Sequence, residues 1–399
     1  MKLKLFNSLV RRKQDFIVRF NKVGVYVCGI TPDAPAHVGH AFVFTFFDVL
    51  VRYLRYLGYK TTYVQNLTDI DDDVLKRSKE HGENWKVFGK KHARMFLEDM
   101  KWLNNAQPDV YPKATDHIKD MIHIIQKLLK RGIAYEKNGS VYFSIAADKE
   151  YGKLSRLSKR TMLKIANERG NYPNDKNKKD PLDFVLWQAK KSGEPSWPSP
   201  WGLGRPGWHI ECSAMAMKYL GDTIDIQGGG SDLAFPHHES SIAQSELATG
   251  KQYARYWMHV GMVRCDGEKM SKSLGNVVLM RDLKKKYSSN TIRIFLLSHH
   301  YRSVFEFHEK DIQKEKKTNE LFLRVWRIQV VMGAALDISL WEKRFYGAMN
   351  DDLNTPKAIR VLESLSREIV RKNQRKNVVD ARAFLNTAFN ILGFVIEYK

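Results

Sequence analysis

The strongest constraint on the fold lies between Val23 and Val64. Val23 to Val27 is a short β-rich run that ends at Cys28-Gly29, and a loop with two prolines, Ile30 to Ala36, follows it. A helix then starts near Gly39. Phe42, Phe46, Val49, Leu50, Tyr53, Leu54 and Leu57 recur at threes and fours, the period of one helix face, and Gly58 is placed to end it. Thr61 to Val64 reads as a second strand. Strand, helix and strand in this order make a βαβ unit, which requires a parallel sheet. Such sheets bind ligands beyond the carboxyl ends of their strands. Cys28, His37, His40, Thr68 and Asp69 all fall at that edge.

The later chain returns to the same pattern. Ile210 to Leu220 reads as a helix, Thr223 to Ile226 as a strand, Gly228-Gly229-Gly230 as a tight loop and His237 to Ala248 as a helix. Between the two halves, a long amphipathic helix runs through Trp85, Phe88, Phe96 and Met100, and another from Thr115 to Leu129. Ile133 to Tyr135 and Val141 to Phe143 flank Asn138-Gly139, a type I′ hairpin signal, as expected of an insertion in the sheet. Asn171 to Asp180 reads as a solvent loop, and Pro195 to Pro206 is too irregular for an element. From about Ile312 the pattern is helical, with Thr355-Pro356 expected as N-cap and first helical residue.

Two basic or imidazole clusters stand out. His37-Val38-Gly39-His40 sits at a helix N-terminus, where backbone N–H groups and the dipole favour phosphate. Gly39 lets a nucleotide approach the backbone. Lys269-Met270-Ser271-Lys272-Ser273 forms a basic loop suited to polyphosphate. Adenylate formation attacks the α-phosphate and expels pyrophosphate, so it needs donors along all three phosphates, some on a loop that closes around the transition state. These two clusters suit that need, and the Walker pattern of P-loop enzymes is absent. His37, His40, Lys269 and Lys272 are therefore the candidate catalytic residues, with Gly39 and Lys272 on ATP. Lys272 is the first choice for the transition-state contact.

The chain has 66 Lys plus Arg against 44 Asp plus Glu, a formal net charge of +22. That balance points to a polyanionic partner, RNA or DNA first. Three cysteines, Cys28, Cys212 and Cys265, argue for a reducing compartment and against a disulfide framework. No stretch reaches the roughly 20 apolar residues of a membrane span, and no signal peptide is seen. The expectation is a soluble, cytoplasmic monomer with no membrane partner.

His-Val-Gly-His resembles the HIGH motif of class I aminoacyl-tRNA synthetases, and Lys-Met-Ser-Lys-Ser matches their KMSKS motif. Four further segments resemble the cysteinyl-tRNA synthetase family: Cys28 to Thr31, Thr68 to Asp72, Gly207 to Met215, and Gly228 to Glu239. The resemblance runs from about residue 20 to the end. It implies an α/β fold: a class I synthetase Rossmann-like parallel sheet with an inserted α+β subdomain and a C-terminal helical bundle. The expected division is a first catalytic half over 1–112, an insertion (connective-peptide) subdomain over 113–200, a second catalytic half over 201–262, a KMSKS-loop stem-contact region over 263–310, and a helical bundle over 311–399 with no separate anticodon domain evident.

The same resemblance implies ATP, L-cysteine and tRNA(Cys) as substrates, Mg²⁺ entering with ATP, and one Zn²⁺ per chain that takes the substrate thiolate. Cys28, Cys212 and His237 match its zinc ligands, while Ser241 stands where the family has a glutamate. Glu239, two residues from His237, faces roughly the opposite helix side and is a poor substitute. The expected site is Cys₂His with an open position, which suits a thiolate ligand from substrate. Gly29, Thr31, Thr68, Trp208 and Asp232 are the expected substrate-binding residues, Trp208 as a wall against the substrate side chain. Asp69, Asp71, Asp72 and Asp73 are read as shaping the site and not as a divalent-metal cluster. Cys265 matches no ligand position and is read as structural.

Two activities fit these residues. The first is cysteine–tRNA ligation through cysteinyl-adenylate, which the +22 charge favours. The second is a tRNA-independent ligase that passes adenylated cysteine to a small amine such as glucosaminyl-inositol. Cys28 to Pro32, Ser241 and a chain that stops after the helical bundle lean toward it.

Overall fold

The computed structural model describes residues 2–18, 20–270, 275–372 and 374–396. Its centre is a four-stranded parallel sheet built from β1 (Lys22–Ile30), β2 (Lys60–Leu67), β3 (Ile224–Gly230) and β4 (Ala254–Val260), in the order β4-β3-β1-β2. Helix α1 (Val38–Tyr56) joins β1 to β2. Helices α2 (Trp208–Leu220) and α3 (His237–Thr249) flank β3. The chain leaves β1 toward β2 on one side and later places β3 on the other. A crevice therefore opens beyond the carboxyl ends of β1 and β3, where strand order reverses.

Both faces of the sheet are covered, as a parallel sheet requires. Val25 and Val27 of β1 pack with Phe42, Phe46 and Phe47 of α1 and with the C-terminal helices. Tyr26 and Cys28 point the other way, toward Ile210, Cys212 and Met215 of α2 and toward the insertion. The period-2 alternation of a strand decides this, so Cys28 meets α2 because it shares a face with Tyr26.

The expected βαβ unit is present, with α1 ending at Leu57 and Gly58 in the left-handed region at φ +87°. The hairpin at Asn138-Gly139 joins Ala134–Lys137 to Ser140–Phe143, both central residues having positive φ. These two strands belong to an antiparallel sheet with Phe184–Ala189 and Gly204–Pro206.

Three expectations are corrected. Gly228-Gly229-Gly230 is the end of β3, paired along Met258, His259 and Val260 of β4. The glycines serve close packing rather than a turn: a Cβ at Gly228 would lie 2.3 Å from the Phe47 ring. Pro195 to Pro206 is not wholly irregular, because Gly204–Pro206 completes the insertion sheet. The Thr355-Pro356 helix is capped one residue earlier. Asn354 Oδ1 accepts the Lys357 N–H at 3.1 Å, while the Thr355 hydroxyl donates to the Leu297 carbonyl at 2.8 Å. Several elements were missed, among them the N-terminal hairpin Lys4–Asn7/Arg12–Asp15, the helices Asp72–Glu80, Lys159–Asn167 and Ser289–Leu297, and the strand β4.

The C-terminal bundle comprises Glu309–Arg327, Ser339–Asn350, Thr355–Lys372 and Val379–Leu392. It is tied to α1 by a buried guanidinium. Arg293 donates to the Leu103 and Leu392 carbonyls at 2.9 and 2.5 Å and pairs with Asp48 in the middle of α1, which Arg52 also holds at 2.8 Å. Two cations and several carbonyls satisfy these buried charges, so the bundle docks against the helix that begins at His37. Among the described residues no helix is long and apolar enough to cross a membrane.

Candidate active site

The crevice is a cavity of about 450 Å³. Its walls include Cys28, Gly29, Thr31, His37, Gly39, His40, Thr68, Trp208, Cys212, Asp232 and His237, all of them expected site residues. They come from the end of β1, the start of α1, the end of β2, the first turns of α2 and α3, and the loop after β3.

The nucleotide side is organised by α1. His37 is its N-cap, in extended backbone, and its Nδ1 accepts the His40 N–H at 3.3 Å. The two imidazoles stack with centroids 3.8 Å apart. Facing them is the base of the basic loop. Glu268–Lys269 pairs with Val263–Cys265, and Met270 is buried against the cavity. On the far side of the loop, Val38 N–H donates to the Val278 carbonyl at 3.0 Å, and Met280 N–H to the Ala36 carbonyl at 3.0 Å. The far end of the loop is thus fastened beside the histidines, and its near end is held by the strand Val263–Cys265. Lys272 lies outside the described residues, and Lys269 is described in its backbone alone.

The sulfur side is drier. Cys28 Sγ and Cys212 Sγ are 3.6 Å apart, with Cys28 donating. Cys28, His237 and His238 offer donor atoms that all lie within 4.8 Å of one another, and all three are buried. Burial pushes the Cys28 thiol well above its usual range. The hydrogen bond from Cys28, with His237 beside it, holds Cys212 well below. One sulfur of the pair is therefore ready as a thiolate, the form that binds metal. Trp208 stacks on His237 with centroids 4.5 Å apart, and His209 Nδ1 lies 3.1 Å from His237 Nδ1. Burial, and then the neighbouring His237, hold His209 neutral. Soft sulfur and imidazole donors at this spacing are those a zinc ion takes.

Ser241 is buried and donates its hydroxyl to the His237 carbonyl at 2.9 Å, back along its own helix. Glu239 accepts the backbone N–H groups of Leu154 and Ser155 at 3.2 and 2.7 Å, which ties α3 to the insertion. Its carboxylate is engaged away from the sulfurs. Gly29 packs against β2, where a Cβ would lie 1.6 Å from the Asn66 carbonyl oxygen, and its N–H donates to Asn66 Oδ1 at 2.8 Å. Asp232 pairs with Arg169 of the insertion at 3.4 Å across the cavity mouth.

The aspartates after β2 have separate structural partners. Asp69 accepts from the Thr115 N–H and hydroxyl at 3.0 and 2.6 Å, and Asp72 pairs with Arg205. Asp71 caps the helix Asp72–Glu80 by accepting the Asp73 N–H at 2.7 Å. Burial pushes the Asp71 carboxyl up to about 6 from 3.8. The folded chain then binds a proton more tightly than the unfolded one, and stability falls as pH rises from about 4 to about 6. Asp71→Asn keeps the cap and removes the charge. It is expected to stabilise the chain by about 1–2 kcal/mol at pH 7.5, less than the full shift because the group is partly exposed, and not at pH 4. Thermal unfolding at both pH values checks this; an equal change at both would discard the ionisation argument.

His238, His209 and Glu211 were not anticipated as site residues. Glu211 is buried beside Thr68, and burial, then Asp71 and Cys212, hold its carboxyl well above the usual range. The only sequence signal for His238 was adjacency to His237, and adjacent residues on a helix point about 100° apart.

Comparison with known proteins agrees with this geometry. The family model for the class I (C) tRNA synthetase catalytic domain matches residues 16–317, and that for the DALR domain matches 344–397. The chain is 46% identical over 376 residues to the cysteine–tRNA ligase of Cronobacter sakazakii, covering 92% of this chain and 80% of that one. It is 43% identical over 421 aligned residues to the cysteine–tRNA ligase of Thermococcus onnurineus, covering 100% and 87%. Among solved structures, Mycobacterium tuberculosis methionyl-tRNA synthetase in complex with methionyl-adenylate superposes with a TM-score of 0.67 at 14% identity, covering 93% of this chain and 88% of that one, a likeness of fold. Sheet order, the paired imidazoles at the N-terminus of α1 and the thiol–imidazole cluster beyond β1 thus coincide with a match over most of the sequence, and the chain belongs to the cysteinyl-tRNA synthetase family of class I aminoacyl-tRNA synthetases.

Proposed function

We propose that the chain is an ATP-dependent cysteine–tRNA ligase, which joins L-cysteine to AMP and then passes the cysteinyl group to the 3′ end of tRNA(Cys). The observation that carries this reading is one cavity lined both by the α1 imidazoles and by the paired thiols Cys28 and Cys212. The first set suits a nucleotide and the second a thiol amino acid. The named relatives are all cysteine–tRNA ligases, which favours tRNA over a small amine as acceptor. The charge of +22 suits RNA, since each phosphate neutralised releases counterions.

In this reading the cysteine carboxylate attacks the α-phosphorus of ATP and pyrophosphate leaves. His37 and His40, at the positive end of α1, hydrogen-bond the phosphates as charge builds in the transition state. Lys269 and Lys272 are assigned to supply positive charge to the departing pyrophosphate, and Mg²⁺ accompanies ATP. Cys28, Cys212 and His237 would hold zinc, whose affinity for thiolate would supply the selection of cysteine over serine. Trp208, stacked on His237, walls the side-chain pocket. Gly29, Thr31 and Thr68 line the amino acid, and Asp232 accepts its ammonium. The five-segment division given above places this site between the two catalytic halves, with residues 263–310 and the bundle as the RNA-facing part.

The test is ATP–pyrophosphate exchange with cysteine, followed by transfer to total tRNA or to glucosaminyl-inositol. Exchange that depends on cysteine and is followed by charging of tRNA is expected. Exchange with transfer only to the amine would replace this function by the small-amine ligase.

A further inference from the structure

We propose that His238 is a zinc donor in this chain and completes a set of two sulfurs and two imidazoles with Cys28, Cys212 and His237. The proposal rests on the zinc reading above and concerns the place where the resembling family has a carboxylate. His238 Nε2 lies 3.2 Å from Cys28 Sγ, closer than the other sulfur at 3.6 Å. The donor atoms of Cys28, His237 and His238 lie mutually within 4.8 Å, in a region with no solvent access to His238, and Cys212 adjoins this trio through its 3.6 Å contact with Cys28. The oxygen-bearing side chains of the same helix turn are occupied elsewhere. Ser241 donates to the His237 carbonyl, and Glu239 accepts two backbone N–H groups of the insertion.

The ring of His238 is also held from behind as a ligand ring usually is. Its Nδ1 lies 2.9 Å from His259 Nε2, and His259 Nδ1 lies 2.8 Å from the Ser8 hydroxyl. With the proton on Nδ1 of each ring, His238 donates to His259 and His259 donates to Ser8. That arrangement leaves the Nε2 lone pair of His238 facing Cys28, with the Gln227 amide, 3.4 Å away, as its other neighbour and the group a bound ion would displace. Such outer hydrogen bonds fix tautomer and orientation in metal sites. Gln227 Nε2 donates to Cys28 Sγ at 3.3 Å and steadies the sulfur on the same side. Two thiolates balance the charge of the dication, and a neutral ring in place of a carboxylate leaves the set uncharged. An entering cysteine thiolate then meets no net negative charge, and it enters either by adding to the four donors or by displacing His238.

X-ray absorption at the zinc edge of the full chain as purified tests this, with zinc content measured alongside. Two sulfur and two nitrogen neighbours, with outer-shell scattering from two imidazoles, are expected. His238→Ala should remove one imidazole from that spectrum and weaken zinc retention against a chelator by at least about 10–100-fold, the effect of losing an outer-shell partner alone. His238→Gln serves as the second variant if the alanine form does not fold. Adding Ser241→Glu to His238→Ala should restore a fourth neighbour as oxygen. Zinc bound with a single imidazole in the unmodified chain overturns the role of His238 and leaves the proposed function standing. A chain that binds no zinc overturns both.

Discussion

His40→Ala lowers the rate of cysteine-dependent ATP–pyrophosphate exchange by about 10²–10³-fold, the usual cost of removing one preorganised donor to developing charge. The expectation comes from position. His40 sits in the first turn of α1, where dipole and backbone N–H groups already favour phosphate. Its ring stacks on His37 and meets Phe96 edge-on, so its orientation is set before ATP arrives. His40 is the better residue to change, because His37 also caps the helix. The alanine variant keeps that cap, since the bond uses the backbone N–H of residue 40. The loss should fall on kcat, with KM for ATP changing little, because the contact strengthens as charge moves onto the leaving pyrophosphate. Steady-state exchange over a range of ATP concentrations separates the two. A variant that keeps wild-type kcat and only raises KM would show a ground-state role instead.

Cys212→Ser is the other large effect. The serine oxygen is small enough for the site and a poor partner for zinc beside Cys28. The variant should retain little zinc and lose about 10⁴-fold in kcat/KM for cysteine, the lower end of the range set by sites that bind a substrate's polar group directly. Selection against serine as substrate should collapse with it, because an apolar pocket separates near-isosteres only weakly. The paired sulfurs explain why one substitution does so much. The Cys28 S–H donates to Cys212, and that bond is the main reason for the low proton affinity of Cys212. Zinc content and exchange with cysteine and with serine are the measurements. Full zinc content with undiminished cysteine selectivity would falsify the ligand assignment.

Much of this site could be read from the chain alone. The threes-and-fours spacing from Phe42 to Leu57 gave α1, and a helix starting near Gly39 put His37 and His40 at its N-terminus. Trp208 and the two distant cysteines were also singled out by motif, and all three line the cavity. The misread pieces are instructive in the same terms. Three glycines in a row look like a turn, but here they let Phe47 of α1 lie against β3. The helix Asp72–Glu80 buries only Val74 and Ser78, so it leaves no apolar stripe to detect.

The sequence by itself determined the first βαβ unit and the helix–strand–helix return after residue 207, the presence of two phosphate-directed clusters and the identity of the two buried sulfurs, because period and turn chemistry act over a few residues. Tertiary structure decided how these parts face one another. Pairing of β1 with β2 shifts register between Val27 and Ile30, so the chain bulges at Cys28-Gly29, the point where it meets the site. Residues 278–280 are bonded to Ala36 and Val38, which brings the basic loop to the histidines across more than two hundred residues. The phase of α3, fixed by Glu239 binding the insertion, turns His238 as well as His237 toward Cys28. None of these is a local preference. Each depends on contacts between segments far apart in the chain, and such contacts exist only once the core has closed.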